Sequence, residues 1–247
     1  MKLIAFATIG TAALLSAPAA IAQAEWSGEG SLSAGYTTGN TETTDAGAGL
    51  KATRDALNWR QSGEFSFDYG ETDGAENKNR LYVAGQLDRK FENPRWTAYG
   101  RSSYEKDEFS GYENRIFVGG GVGYKVLMGD IVTWTLEGGP GYKIDEVRDR
   151  TVNGLFIPGQ TEESVAFRAG SRFAYNINDN VTLSNDTDIV YAEVSTQLEN
   201  TLALTATLYE KFSVRFSYDV RHETEAPVGT EDTDTATRIS LVYGFGK

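Results

Sequence analysis

His222 is the only histidine in the chain, and cysteine is absent. The residues that could complete a hydroxyl-nucleophile hydrolase around it are Thr224, two positions on, and Asn200, on the preceding segment. Such chemistry needs a hydroxyl nucleophile, a base that takes its proton and a third group that orients the base. The simpler expectation is that His222 is a polar residue at head-group level, because spacing without geometry makes no active site. Asp232 and Asp234 read as solvated loop charge rather than an acidic dyad. The chain is therefore expected not to be an enzyme and to have no catalytic residue, with a lipid-acting hydrolase using His222 as the alternative.

Other chemistry is narrowed by composition. A single histidine without cysteine excludes cysteine and polyhistidine metal sites. The acidic segments lack the spacing of a calcium-binding helix-loop-helix site. "FVGGGVGYK" (Phe117–Lys125) has phosphate-loop glycines, but they lie inside a strand pattern and no helix follows. In a strand such glycines relieve crowding and permit bending. No cofactor is expected. The net charge of −12 argues against nucleic acid as a partner.

The elements that must carry these residues alternate with period two from end to end. Residues 1–24 read as a secretory signal: Lys2, an apolar run from Leu3 to Leu15 that is short for a membrane helix, and the small-x-small site Ala22-Gln23-Ala24. Residues 25–247 form one domain. Twelve alternating segments run over about 25–36, 43–53, 57–69, 79–91, 95–105, 115–126, 131–144, 163–175, 181–192, 200–209, 212–222 and 235–245. In the eleventh, Phe212, Val214, Phe216, Tyr218 and Val220 alternate with Ser213, Arg215, Ser217, Asp219 and Arg221. In the sixth, Ile116, Val118, Val122, Tyr124 and Val126 share the apolar parity. Short connections such as "RDA" and "NINDN" interleave with longer ones such as "TTGNTE", "GETDGAEN" and "KDEFSGYEN". An even strand count and this sorting of loops fit a membrane barrel with short inner turns and longer outer loops.

The aromatics support that reading. Trp26 and Tyr36 are ten residues apart on one parity, and Trp59 and Tyr69 repeat the spacing. Trp96 and Tyr104, and Trp134 and Tyr142, are eight apart. Ten residues at ~3.3 Å each, tilted by about 40°, rise roughly 25 Å, the height of the apolar band of such barrels. These rings, with Tyr243 and Phe245 at the chain end, are expected to form girdles at the two membrane–water interfaces. The expected fold is all-β, a twelve-stranded antiparallel up-and-down transmembrane β-barrel. Its apolar face meets lipid and its polar face lines the lumen.

The lumen face is expected to carry Arg60, Glu64, Asp68, Arg101, Glu105 and Arg115. Further round it come Glu137, Arg168, Arg172, Asp186, Asp188, Arg215 and Asp219. Twelve strands enclose more space than the eight whose side chains fill their own interior. A narrow passive channel, or an envelope component responsive to ionic conditions, is therefore favoured, and paired charges closing a structural barrel remain the alternative. Acids assigned to the outer loops, among them Asp107, Asp145, Glu223 and Asp232, are expected to bind divalent cations weakly.

"GYTTGNTETTD" (Gly35–Asp45), "KDEFSGYENR" (Lys106–Arg115), "LEGGPGYK" (Leu136–Lys143) and the closing "SLVYGFGK" resemble the family of salt-induced outer-membrane proteins, a domain-of-unknown-function family. The resemblance covers essentially the whole of residues 25–247. It implies an outer-membrane β-barrel in a Gram-negative-type envelope, among outer-membrane lipids and lipopolysaccharide, and no established reaction. The chain end also resembles the insertion signal read by the barrel-assembly machinery, through Arg238, Tyr243 and Phe245, with Ser240 where glycine is usual.

Overall fold

The computed structural model describes residues 24–37, 43–152, 154–227 and 230–246. The expected signal segment lies outside these residues, apart from Ala24, and so does the side chain of Tyr36. The barrel strands are β1 (Glu25–Thr37), β2 (Thr43–Asp55), β3 (Trp59–Thr72), β4 (Ala75–Lys90), β5 (Trp96–Asp107), β6 (Tyr112–Met128), β7 (Val132–Val147), β10 (Thr161–Asn178), β11 (Val181–Ala192), β12 (Gln197–Tyr209), β13 (Phe212–Glu223) and β14 (Thr233–Gly246). Each pairs antiparallel with its neighbours, and β1 closes the ring by pairing with both β2 and β14. β8 (Arg150–Val152) and β9 (Leu155–Ile157) form a small separate hairpin within the connection from β7 to β10.

Closure follows from the sequence pattern. Alternating residues leave one apolar face, and a sheet with lipid outside must satisfy its backbone groups within itself. The outward parity carries the large exposed apolar residues, with Leu32 at 67% and Val165 at 76% exposure. The inward parity carries charge, and its small apolar cluster is Phe117, Ala166 and Ala192 with Val190 against them.

Two sequence expectations need correction. "GETDGAEN" is not a long loop, because β3 and β4 run on to the two-residue turn Asp73-Gly74. Both turn residues have positive φ, 50° and 76°, the turn geometry whose twist matches the strands it joins. The interleaving of long and short connections therefore has exceptions, since the inner connection 91–95 is longer than this outer turn. A bulge between Lys125 and Leu127 places Leu127 opposite Trp134, so the outward position expected for Val126 passes to Leu127.

The glycine run of β6 lets β6 and β7 come close together. A Cβ on Gly121 would stand 2.1 Å from the Gly138 carbonyl oxygen, and one on Gly139 2.2 Å from that of Gly120. The two strands approach so closely there that only glycine fits. Beside them the Phe117 ring lies over Gly119 and Gly141, where added Cβ atoms would meet it at 2.6 and 2.5 Å.

Candidate functional site: the cross-bridged lumen

The inward charges are arranged in tiers, each built from strands that the parity rule turns toward the centre. At the inner end, Arg60 donates to Asp55 at 2.9 Å, and Lys90 bonds both Asp55 and the Ala56 carbonyl. Above them Arg168, only 1% exposed, pairs with Glu137 at 2.8 Å and with Asp188, which also takes Arg172. Gln86 Nε2 donates to the second Glu137 oxygen at 2.9 Å. Lys51 pairs with Glu64 at 3.4 Å and Arg215 with Glu29 at 2.7 Å. Asp186 and Arg101 line a cavity of about 110 Å³ with Lys51, Glu64, Tyr82 and Arg172, and Arg101 donates to the Tyr82 hydroxyl at 2.9 Å.

The middle tier crosses the barrel. Arg80 of β4 holds Glu105 of β5 at 2.6 Å and reaches Glu199 of β12 at 3.3 Å. Arg221 of β13 pairs with Glu199 at 3.2 Å, with Asp107 of β5 at 3.5 Å and with Glu105. Five strands separate β4 from β12 in either direction round the ring, and five separate β5 from β13. The contacts Arg80–Glu199, Arg221–Glu105 and Arg221–Asp107 therefore run straight across the lumen. Arg238 extends the tier sideways, to Asp219 at 2.6 Å and Asp68 at 3.4 Å.

Toward the outer end, Arg115 of β6 clasps Asp145 at 3.1 Å and Glu223 of β13 at 2.8 Å. Lys143 joins the same acids at 2.9 and 3.6 Å and donates to the Ser195 carbonyl at 3.2 Å. The Arg115 guanidinium also lies 4.1 Å from the centre of the buried Tyr112 ring. Ions this buried persist because several partners replace the lost water.

Of the residues expected on the lumen face, all but Asp186 have a hydrogen-bond or ion-pair partner named here. Glu199, Asp107, Asp145 and Glu223 were missed. The last three were expected in solvated outer loops, but the strands continue past the expected ends. The signal was present: Glu105 to Asp107, Lys143 to Asp145 and Arg221 to Glu223 each step by two on the inward parity.

His222, Thr224 and Asn200 are not brought together. His222 Nδ1 lies 2.8 Å from Thr233 Oγ1, and the Thr224 hydroxyl accepts from the Thr196 amide at 2.9 Å. Asn200 bonds Thr187 at 2.8 Å and Asn185 on β11.

On the outer surface, Trp26, Trp59 and Trp96 are exposed at the inner ends of their strands. Trp134 donates to Ser171 at 3.0 Å. Trp96 stands 4.7 Å from Tyr124, and Phe212 5.0 Å from Tyr243. The ring of Phe245 covers Gly28. At the other end, Tyr69 bonds Glu71, Tyr104 donates to Asn114 at 2.7 Å, and Tyr142 to Glu163 at 2.9 Å. Each of these hydroxyls bonds a polar side chain.

A closed twelve-stranded wall, apolar outside and ionic inside, defines a transmembrane β-barrel of the outer-membrane class. Solved barrels of that class share the fold. The translocator domain of the autotransporter NalP from Neisseria meningitidis matches with a TM-score of 0.51 at 13% identity, over 90% of this chain and 88% of that one. An outer-membrane channel from Pseudomonas putida F1 matches with a TM-score of 0.50 at 11% identity, over 90% and 94%. The chain belongs to the family described as "Protein of unknown function, DUF481", whose model matches residues 30–245. The uncharacterized protein YdiY of Escherichia coli (strain K12) is 27% identical over 222 residues, 88% of this chain and 83% of that one. The protein is an outer-membrane β-barrel.

Proposed function

We propose that the barrel is a narrow passive channel for small solutes, held tight by the ion pairs that cross its lumen and loosened by salt. The observation that carries this is the pair of contacts Arg80–Glu199 and Arg221–Glu105, which tie opposite walls together. The side chains of Arg221 and Glu199 are about a quarter to a third exposed, so mobile ions reach them. Screening shortens the reach of such charges from ~8 Å at physiological salt to ~3 Å at 1 M. Raising the ionic strength then weakens the cross-bridges that are wet while the wall-to-wall backbone ladder stays intact. The same reading makes the protein a conduit and not an enzyme, with His222 a polar residue tied to Thr233 at the outer rim.

Single-channel recording of the purified protein in planar bilayers tests this. The expected result is small conductance steps that rise with potassium chloride more steeply than the bulk conductivity does. Silence at every salt concentration would make the barrel a closed structural element.

A further inference from the structure

The β1–β14 seam is incomplete. β1 pairs with β2 over its whole length, as far as Thr37↔Thr43, and β14 pairs with β13 from Thr233 onward. Between β1 and β14 the ladder runs only from Ser27↔Gly246 to Ser33↔Ser240. Among the described residues, Ala34–Thr37 and Thr233–Ile239 therefore continue outward without a strand partner across the seam. The last rung lies seven residues above Trp26, a rise of about 18 Å on the usual strand pitch and tilt, so the gap begins inside the outer part of the apolar band. Backbone groups facing lipid there need something to cover them.

A cavity of about 450 Å³ occupies the gap. Its membrane side is made by the outward residues Ala34, Ala46, Tyr69, Phe216 and Ile239, and its lumen side by Asp45, Asp68, Lys78 and Arg238. It shares Asp68, Lys78, Thr235, Ala236 and Arg238 with a lumen cavity of about 270 Å³ that reaches Arg80 and Arg221. The wall is thus breached from the lumen to the lipid face. One end of the breach is apolar. The other presents two cations and two carboxylates in alternation, with Lys78–Asp45 at 3.2 Å and Arg238–Asp68 at 3.4 Å.

We propose that the outer half of this seam is a lateral port that takes a single-chain amphiphile with a zwitterionic head group. The chain lies among Tyr69, Phe216 and Ile239, and the head group exchanges ion pairs with Arg238, Lys78, Asp45 and Asp68. A second protein strand would satisfy the backbone edges but would offer no charge to the Lys78–Asp45 and Arg238–Asp68 pairs on the lumen side. A zwitterion matches both signs at once. The port rests on the unpaired edges and the cavity at the seam, not on solute flow down the barrel axis.

The test uses the full-length protein, refolded in bilayers, with lysophosphatidylethanolamine carrying a photoreactive group in its chain. Cross-linked residues are located by mass spectrometry. Labelling is expected to concentrate on residues 34–37, 43–46 and 233–239 and on Phe216, and to fall when excess unlabelled lysophosphatidylethanolamine competes but not with laurate. Labelling spread evenly over the lipid face would overturn the port, and equal competition by laurate would overturn the head-group assignment. The chain has no native cysteine, so Ala34→Cys with Ile239→Cys, the next rung of the ladder, can lock the seam. The locked form is expected to lose the labelling and regain it on reduction. Leu32→Cys with Leu241→Cys, on a rung already paired, should leave it unchanged. Persistence of labelling in a fully oxidised lock would also refute the port. Where the upper disulfide fails to form, the distribution on the native chain decides alone.

Discussion

Arg80 and Glu199 meet at 3.3 Å although their strands stand on opposite sides of the ring, 119 residues apart in sequence. Glu105 completes the contact: 4% exposed, it lies between Arg80 and Arg221 and neutralises both. A carboxylate so placed is held by the two guanidiniums, and they by it.

Removal of that carboxylate is expected to be expensive. Glu105→Ala leaves Arg80 and Arg221 to share Glu199, and loss of one partner from a buried pair costs about 3–5 kcal/mol. The exposed pair Lys51–Glu64, with side chains 52% and 35% exposed, provides the contrast. Lys51→Ala should change stability by about 0–1 kcal/mol. Urea unfolding of the two variants in lipid vesicles measures the difference. Similar losses would mean that the middle tier carries no more than a surface pair.

The two faces of β3 should respond differently to the same charge. Phe65 faces out, midway between Trp59 and Tyr69, and Ser66 faces in. Phe65→Arg should cost roughly 2–4 kcal/mol, the range for a cation at the bilayer midplane, and Ser66→Arg less. Folding yield and unfolding midpoint in bilayers are the readouts. Equal penalties would contradict the assignment of faces.

The close approach of β6 and β7 should depend on the missing Cβ atoms. Gly121→Ala would place a carbon 2.1 Å from the Gly138 oxygen, whereas a Cβ on Gly85 of β4 meets nothing within 4 Å. Overpacking of this kind costs about 1–3 kcal/mol or more. Gly121→Ala should unfold at lower urea than the native chain and Gly85→Ala should not. An unchanged midpoint for Gly121→Ala would show that the strands can separate there freely.

His222→Ala tests the absence of hydrolysis. The ring is bonded to Thr233, and Asn200 is engaged with Asn185 and Thr187. Purified protein is expected to release no fatty acid from phospholipid vesicles, with or without the substitution. Release that disappears in His222→Ala, with folding intact, would identify an enzyme.

The barrel was legible because period two is a local property: each strand announces its own faces. Strand count, chirality of alternation and the positions of the four tryptophans follow from spacing alone. What sequence did not show was where the strands end. Asp107, Asp145 and Glu223 look like loop acids until the strands are extended by one more inward step, and Asp73-Gly74 looks like part of a loop until its turn geometry is recognised. The partners of the lumen charges were also hidden. Parity places Glu105 and Arg115 on the inner face, but which opposite residues meet them depends on the stagger of strands closed into a ring. The gap above Ser33↔Ser240 is hidden for the same reason, since it arises where the first and last strands of the chain meet.

The central claim is that the cross-lumen ion pairs hold the channel tight. The double variant Glu199→Ala/Arg221→Ala removes all three diametric contacts, keeps the net charge and leaves Arg80 paired with Glu105 on adjacent strands. Single-channel conductance of this variant and of the native chain, at the same potassium chloride concentrations, is the measurement. Larger steps in the variant, with a salt dependence that follows bulk conductivity, are the predicted result. Identical conductance, or silence in both, would contradict it.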